Sequence, residues 1–143
     1  MKKFIFVISI ATVFVGFTAC VNQNNSLSEV IDAAHNSRNS LDWQGTYTGT
    51  TPCADCEGIK TSLTLNEDTY VLETTYLGKS KVTFKEEGQF VWNDEGGIIT
   101  LNNEKNGFKS QYRVGENRLI QLDMEGNKID GEFADMYILQ KAI

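Results

Sequence analysis

From residue 43 to the C-terminus, apolar residues recur at every second position, in short runs broken by Gly, Asn, Asp and Glu. That period sends alternate side chains to opposite faces of a strand and does not fit amphipathic helices, whose apolar positions recur every three or four residues. In "IKTSLTL", Ile59, Thr61, Leu63 and Leu65 share one face while Lys60, Ser62 and Thr64 share the other. "WQGTYTGT" precedes it with aromatics and Thr. "NEDT" then turns the chain into "YVLETTYL", and the two runs form a hairpin pattern.

The same pattern continues to the end. "KVTFK" is expected as a strand, with "EEG" turning into "QFVW" and "NDEGG" into "IITL". "NNEKNG" leads to "FKSQYRV", in which Phe108, Ser110, Tyr112 and Val114 alternate with polar residues. "GEN" turns into "RLIQL", "DMEGN" leads to a short "KID" strand, and "ADMYILQ" is the last strand. About eight or nine short strands at this spacing define an all-β fold. A small antiparallel β-barrel removes the sheet edges, with Tyr47, Leu63, Leu65, Tyr112, Ile120 and Leu122 filling the interior. A two-sheet sandwich satisfies the same pattern. Trp43 and Trp92 are expected in the core or at a barrel end.

The N-terminus follows other rules. "MKK" is basic, and "FIFVISIATVFVGF" is uncharged and too short for a convincing spanning helix. "FTAC" places small Ala19 before Cys20. The arrangement resembles a bacterial lipoprotein signal peptide over residues 1–19, although Phe17 stands where an aliphatic residue is usual. That resemblance implies cleavage before Cys20 and covalent lipid on it, with several acyl chains holding the protein on a membrane. Bacterial lipoproteins kept in the inner membrane often carry Asp after the lipidated Cys, so the resemblance, with Val21 at that position, implies the outer membrane and a protein facing the periplasm.

Residues 20–42 are expected to be a lipidated N-terminus and flexible tether, because "NQNNS" and "HNSRNS" bury too little to fold alone. Between them "SLSEVIDAA" has capping-box spacing at Ser26 and Glu29, and Leu27, Val30, Ile31 and Ala34 share one helical face. Residues 43–143 form the folded domain.

Charge narrows the functional classes. The chain has 13 Lys and Arg against 19 Asp and Glu, a net charge of −6, and offers no basic footprint for nucleic acid. Loss of Lys2 and Lys3 with the signal would make it more acidic, so lipid rather than charge must supply membrane affinity. The single His, His35, lies in the tether, which leaves no nucleophile–His–acid arrangement. No Gly-rich loop precedes a helix, so there is no phosphate cradle. No catalytic residue is assigned.

Two of the three cysteines sit in "TPCADCEG", as Cys53-x-x-Cys56. Three readings compete. A redox dithiol needs a low-pKa thiolate, usually at a helix N-terminus; here acidic Asp55 and Glu57 flank the thiols and a strand pattern follows. A closed zinc site lacks further ligands, because His35 is remote in sequence and Met124 and Met136 form no tract. A two-coordinate Cu(I) dithiolate at Cys53 and Cys56 needs none. A local disulfide is the favoured resting state in an oxidising envelope compartment, and it remains reducible.

"GTYTGTTPCADCEGIKTSLTLNEDTYVLETTYLGK", followed by "GQFVWNDEGGIITL" and "YRVGENRLIQLDMEGN", resembles the NlpE N-terminal domain family from Trp43 nearly to Ile143. The family is linked to copper resistance and envelope-stress signalling. The resemblance implies a lipocalin-like barrel, anchored by lipid and exposed to the periplasm, acting with a signalling partner it does not identify. It also implies that Cys53 and Cys56 ligate copper or form a disulfide. The best-known members carry a second domain after this one, so signalling roles that depend on that domain are not expected of residues 43–143. A ligand-binding barrel, as in lipocalins, is the alternative function.

Overall fold

The computed structural model describes residues 35–143 apart from 104–106 and 108. The signal segment, Cys20 and the helix expected near residues 26–34 lie outside the described residues.

The domain is a closed antiparallel barrel in which eight strands follow one another in sequence order. They are β1 (Gly45–Thr51), β2 (Gly58–Leu65), β3 (Thr69–Leu77), β4 (Thr83–Trp92), β5 (Ile98–Asn102), β6 (Lys109–Gly115), β7 (Arg118–Gln121) and β8 (Ile138–Lys141). Tyr47↔Lys141 and Thr48↔Gln140 pairing joins β8 back to β1. Closure settles the choice between barrel and sandwich, and it satisfies the edges that an open sheet would expose.

Alternation along each strand places the core. Tyr47, Leu63, Leu65, Tyr70, Phe90, Ile99, Leu101, Tyr112, Val114, Leu119 and Leu139 form one buried cluster. Five of the six interior residues expected from sequence are buried: Tyr47, Leu63, Leu65, Tyr112 and Leu122. The sixth, Ile120, is only half-buried, and its neighbour Leu119 takes the inward position. The tight turn at residues 116–117, with Asn117 at φ 55°, sets Gly115 opposite Arg118 and hence Leu119 opposite buried Val114. Register, rather than hydrophobicity, decides between two apolar neighbours.

Three further expectations are corrected. "EEG" is not a turn: Glu86, Glu87 and Gly88 continue β4 in unbroken register with β3. Gly88 is required for close approach, since a Cβ there would lie 2.9 Å from Tyr70 Cε1 and 2.8 Å from the Asn102 carbonyl oxygen. "KID" forms no strand; it contributes one isolated bridge, Leu122↔Lys128. The first four residues of "ADMYILQ" form a 3-10 turn, Ala134–Tyr137, and only the remainder enters β8.

The chain enters through one end of the barrel. A four-residue helix, α1 (Ser37–Ser40), lies within the segment expected to be tether. The Arg38 amide donates to the Gly96 carbonyl at 3.0 Å, and Ser37 Oγ donates to the Val114 carbonyl at 2.9 Å. Trp43 Nε1 donates back to the Arg38 carbonyl. Its ring meets Phe90 and Trp92 edge-on, at centroid separations of 5.8 and 5.3 Å, and this aromatic group closes the base. The loop between β1 and β2, which carries Cys53 and Cys56, lies at the opposite rim.

Candidate functional site: the rim disulfide loop

β1 ends at Thr51 and β2 begins at Gly58, so residues 52–57 must reverse the chain across the rim. Gly58 makes this reversal feasible. Its φ of +150° suits glycine, and a Cβ there would meet Thr50 Cγ2 at 2.6 Å. Within the loop Cys53 and Cys56 are joined as a disulfide, with their Cα atoms 5.3 Å apart.

The loop is fastened to its neighbour. The Glu57 amide donates to the Leu77 carbonyl at 3.1 Å, and Lys79 pairs with Asp55. Ala54, Asp55, Cys56, Glu57, Gly78 and Lys79 line an open cleft of about 390 Å³ between the two hairpin ends. Both cysteines are half-buried, and Asp55 is exposed.

Three donor groups converge here. Cys53 Sγ, Cys56 Sγ and an Asp55 carboxylate oxygen all lie within 4.8 Å of one another. In the disulfide the sulfurs are not thiolate donors. Reduction by two electrons and two protons yields two thiols, whose thiolates form a soft pair suited to a monovalent soft ion such as Cu(I). The residues fit such an ion in two-coordinate form. Asp55 adds a hard oxygen, and its pairing with Lys79 offsets its charge.

The structure thus brings Cys53 and Cys56 together as the sequence suggested. It adds Asp55 as a third donor, where sequence reasoning took it only as a charge that disfavours thiolate. Lys79 was missed, because a contact across 24 residues is set by the register of two hairpins. Cys20 lies outside the described residues. Among the described residues no helix is long and apolar enough to cross a membrane.

A closed eight-stranded meander barrel with a Cys-x-x-Cys disulfide on its rim defines the class: a small all-β domain that carries a redox-sensitive loop at one end. Residues 47–132 match the model of the NlpE N-terminal domain, and the chain belongs to that family. It is 40% identical over 88 residues to Lipoprotein NlpE of Escherichia coli (strain K12), spanning 61% of this chain and 37% of that relative's length. Among solved structures, a predicted lipoprotein of Shewanella oneidensis superposes with a TM-score of 0.67 and 50% identity, over 74% of this chain and 94% of that one. The Cpx pathway activator NlpE from Escherichia coli superposes at 0.53 with 38% identity, over 62% of this chain and 47% of that one.

Proposed function

We propose that this protein is a non-enzymatic, lipid-anchored envelope lipoprotein that serves copper or envelope-stress homeostasis through its rim loop. The observation that carries the reading is the convergence of Cys53, Asp55 and Cys56 on a barrel of the NlpE N-terminal family. The relative described as a Cpx pathway activator supports the stress-signalling side. The anchor is the lipid on Cys20, and the outer membrane facing the periplasm is its location.

Chain entry at the base and the disulfide at the far rim suit this role. α1 docks at the base, so the Cys53–Cys56 loop at the far rim stays free to meet an ion, a thiol donor or a signalling partner. The lower interior is filled by Tyr47, Leu63, Leu65, Ile99, Leu119 and Leu139, each at most 1% exposed, which leaves that part no room for a lipocalin-type apolar ligand.

The test is titration of the reduced protein with Cu(I) against a competing chelator, alongside copper tolerance of cells carrying Cys53→Ser/Cys56→Ser. The expected result is loss of Cu(I) binding and of tolerance in the double variant. Equal affinity in variant and parent would sink the role given to the loop. Mass spectrometry of membrane-extracted protein tests the anchor separately: an unmodified Cys20 removes it.

A further inference from the structure

The barrel is filled along only part of its length. Near the base, inward residues are buried from Leu65 and Tyr70 to Phe90 and Ile99. Towards the rim the inward positions of β3 and β4 open up. Leu72 faces Glu86 and Thr74 faces Phe84 in a register that runs unbroken to Thr69↔Gln89, so these side chains share the inward face of Tyr70 and Phe90. Yet Leu72, Thr74 and Glu86 are half-buried, Tyr76 is 37% exposed and Phe84 is 54% exposed. β4 pairs with β3 over Thr83–Gln89 but with β5 only from Gln89 onward. Among the described residues, the wall carrying Phe84 and Glu86 therefore rises above the end of β5 and leaves a cup open at the side.

The floor of this cup is polar. Tyr70 donates its hydroxyl to Glu86 Oε1 at 2.6 Å. Tyr112 is 3% exposed, and its hydroxyl has no hydrogen-bond partner among the described residues. Every fully enclosed side-chain nitrogen or oxygen there does have a partner. The Tyr112 hydroxyl is therefore not completely enclosed, and it lies close enough to Glu86 and Tyr70 to interact with both electrostatically. The Glu86 charge acts on both tyrosines. A carboxylate has roughly four lone-pair sites, and Tyr70 occupies one.

We propose that this cup is a binding site for an organic ammonium compound, a primary amine with an apolar body, seated on Glu86 and the hydroxyls of Tyr70 and Tyr112. An ammonium group brings three donors, which match the free carboxylate positions and the phenol lone pairs. An anion would meet Glu86 without a counter-charge, and an alcohol has one donor for several acceptors. The apolar body lies along Leu72 and the edge-to-face pair of Tyr76 and Phe84, whose centroids are 5.8 Å apart. Aromatic faces at the rim also favour a cation in passage. Burial pushes the Tyr70 and Tyr112 hydroxyls above their ordinary range, so both stay neutral and retain their protons. The site uses none of the residues of the disulfide loop, so its success or failure is independent of the copper reading.

The test uses the full chain in zwitterionic lipid nanodiscs at 0.15 M salt, as an order of ionic strength that screens diffuse attraction. n-Hexylamine, hexanol and hexanoate are titrated while tyrosine ring signals are followed by NMR. The amine is expected to bind about tenfold tighter than the alcohol, as for a hydrogen bond to a charged group. Hexanoate should not bind. Glu86→Gln should erase the amine's advantage and leave hexanol unchanged, and Tyr112→Phe should weaken the amine severalfold. Glu87→Gln, outward on the same strand, should change neither. Equal affinity for amine and alcohol, an advantage that survives Glu86→Gln, or equal loss in Glu87→Gln would overturn the proposal. Should Glu86→Gln not fold, the parent still decides: hexylamine that leaves the Tyr70 and Tyr112 signals unmoved rejects the site.

Discussion

Lys79, in the turn after β3, is paired with Asp55 inside the disulfide loop, so the two rim hairpins are tied by charge as well as by the Glu57–Leu77 hydrogen bond. Both side chains are at least half exposed. A pair in that setting contributes little, because water and salt screen it. Lys79→Ala is expected to lower stability by no more than about 1 kcal/mol in urea unfolding, and by less at high salt. A larger loss, or one insensitive to salt, would mean that Lys79 packs rather than pairs.

The disulfide is local, and the barrel ladder does not pass through it. Cys53→Ser/Cys56→Ser should cost about 2 kcal/mol on the loop-entropy account and leave the strands intact. Amide exchange gives the sharper readout. The Glu57 amide, bonded to Leu77 from within the loop, should lose protection, while the amides of β6 and β7 keep theirs. Loss of protection throughout the barrel would show that the loop holds the fold together.

Gly88 and Gly97 separate two reasons for glycine. At Gly88 a Cβ would press on the Asn102 carbonyl at 2.8 Å and the Tyr70 ring at 2.9 Å; at Gly97 nothing lies within 4 Å. Gly88→Ala should therefore destabilise by about 1–3 kcal/mol, as overpacking does. Gly97→Ala should stay within about 0.5 kcal/mol, as other surface changes do. Thermal unfolding of the two variants checks the contrast, and equal effects would refute it.

The same glycine shows what the sequence could and could not convey. The period of two, the turn clusters and the Cys-x-x-Cys spacing were legible, because each depends on neighbours within a few residues. The barrel, most of its core and the cysteine pair followed from them. Gly88 was misread as punctuation because its reason lies across the sheet, on Tyr70. Leu119 displaced Ile120 for a similar reason: the two are equally apolar, and a tight turn sets which one faces in. The Asp55–Lys79 pair and the convergence of Tyr70 and Tyr112 on Glu86 depend on long-range register, which no local pattern encodes. The docking of α1 on Gly96 and Val114 belongs with them. "HNSRNS" is polar and buries little, and its contacts are main-chain hydrogen bonds that composition does not reveal.

Alkaline pH offers a test of the packed base. Tyr47 is fully buried, and its hydroxyl donates to the Trp43 carbonyl at 2.7 Å. Burial first, and the nearby Asp42 charge second, push its pKa from 10.0 up to about 12. The fold thus favours the neutral phenol. Its contribution is complete below the unfolded-state value and is lost as pH climbs from about 10 through about 12. Two pH units correspond to roughly 2–3 kcal/mol. Tyr70 and Tyr112 are also shifted upward, chiefly by burial, and add to the same alkaline loss. Urea unfolding from pH 9 to 12 should show stability falling steeply above pH 10, and the share of phenolate absorbance that belongs to buried Tyr47, Tyr70 and Tyr112 should appear only as the barrel opens. Tyr47→Phe should be less stable at pH 7 by about 1 kcal/mol, for the lost hydrogen bond, and less sensitive to alkali. An unchanged alkaline slope in Tyr47→Phe would show that the buried hydroxyl does not govern this limb of the stability profile.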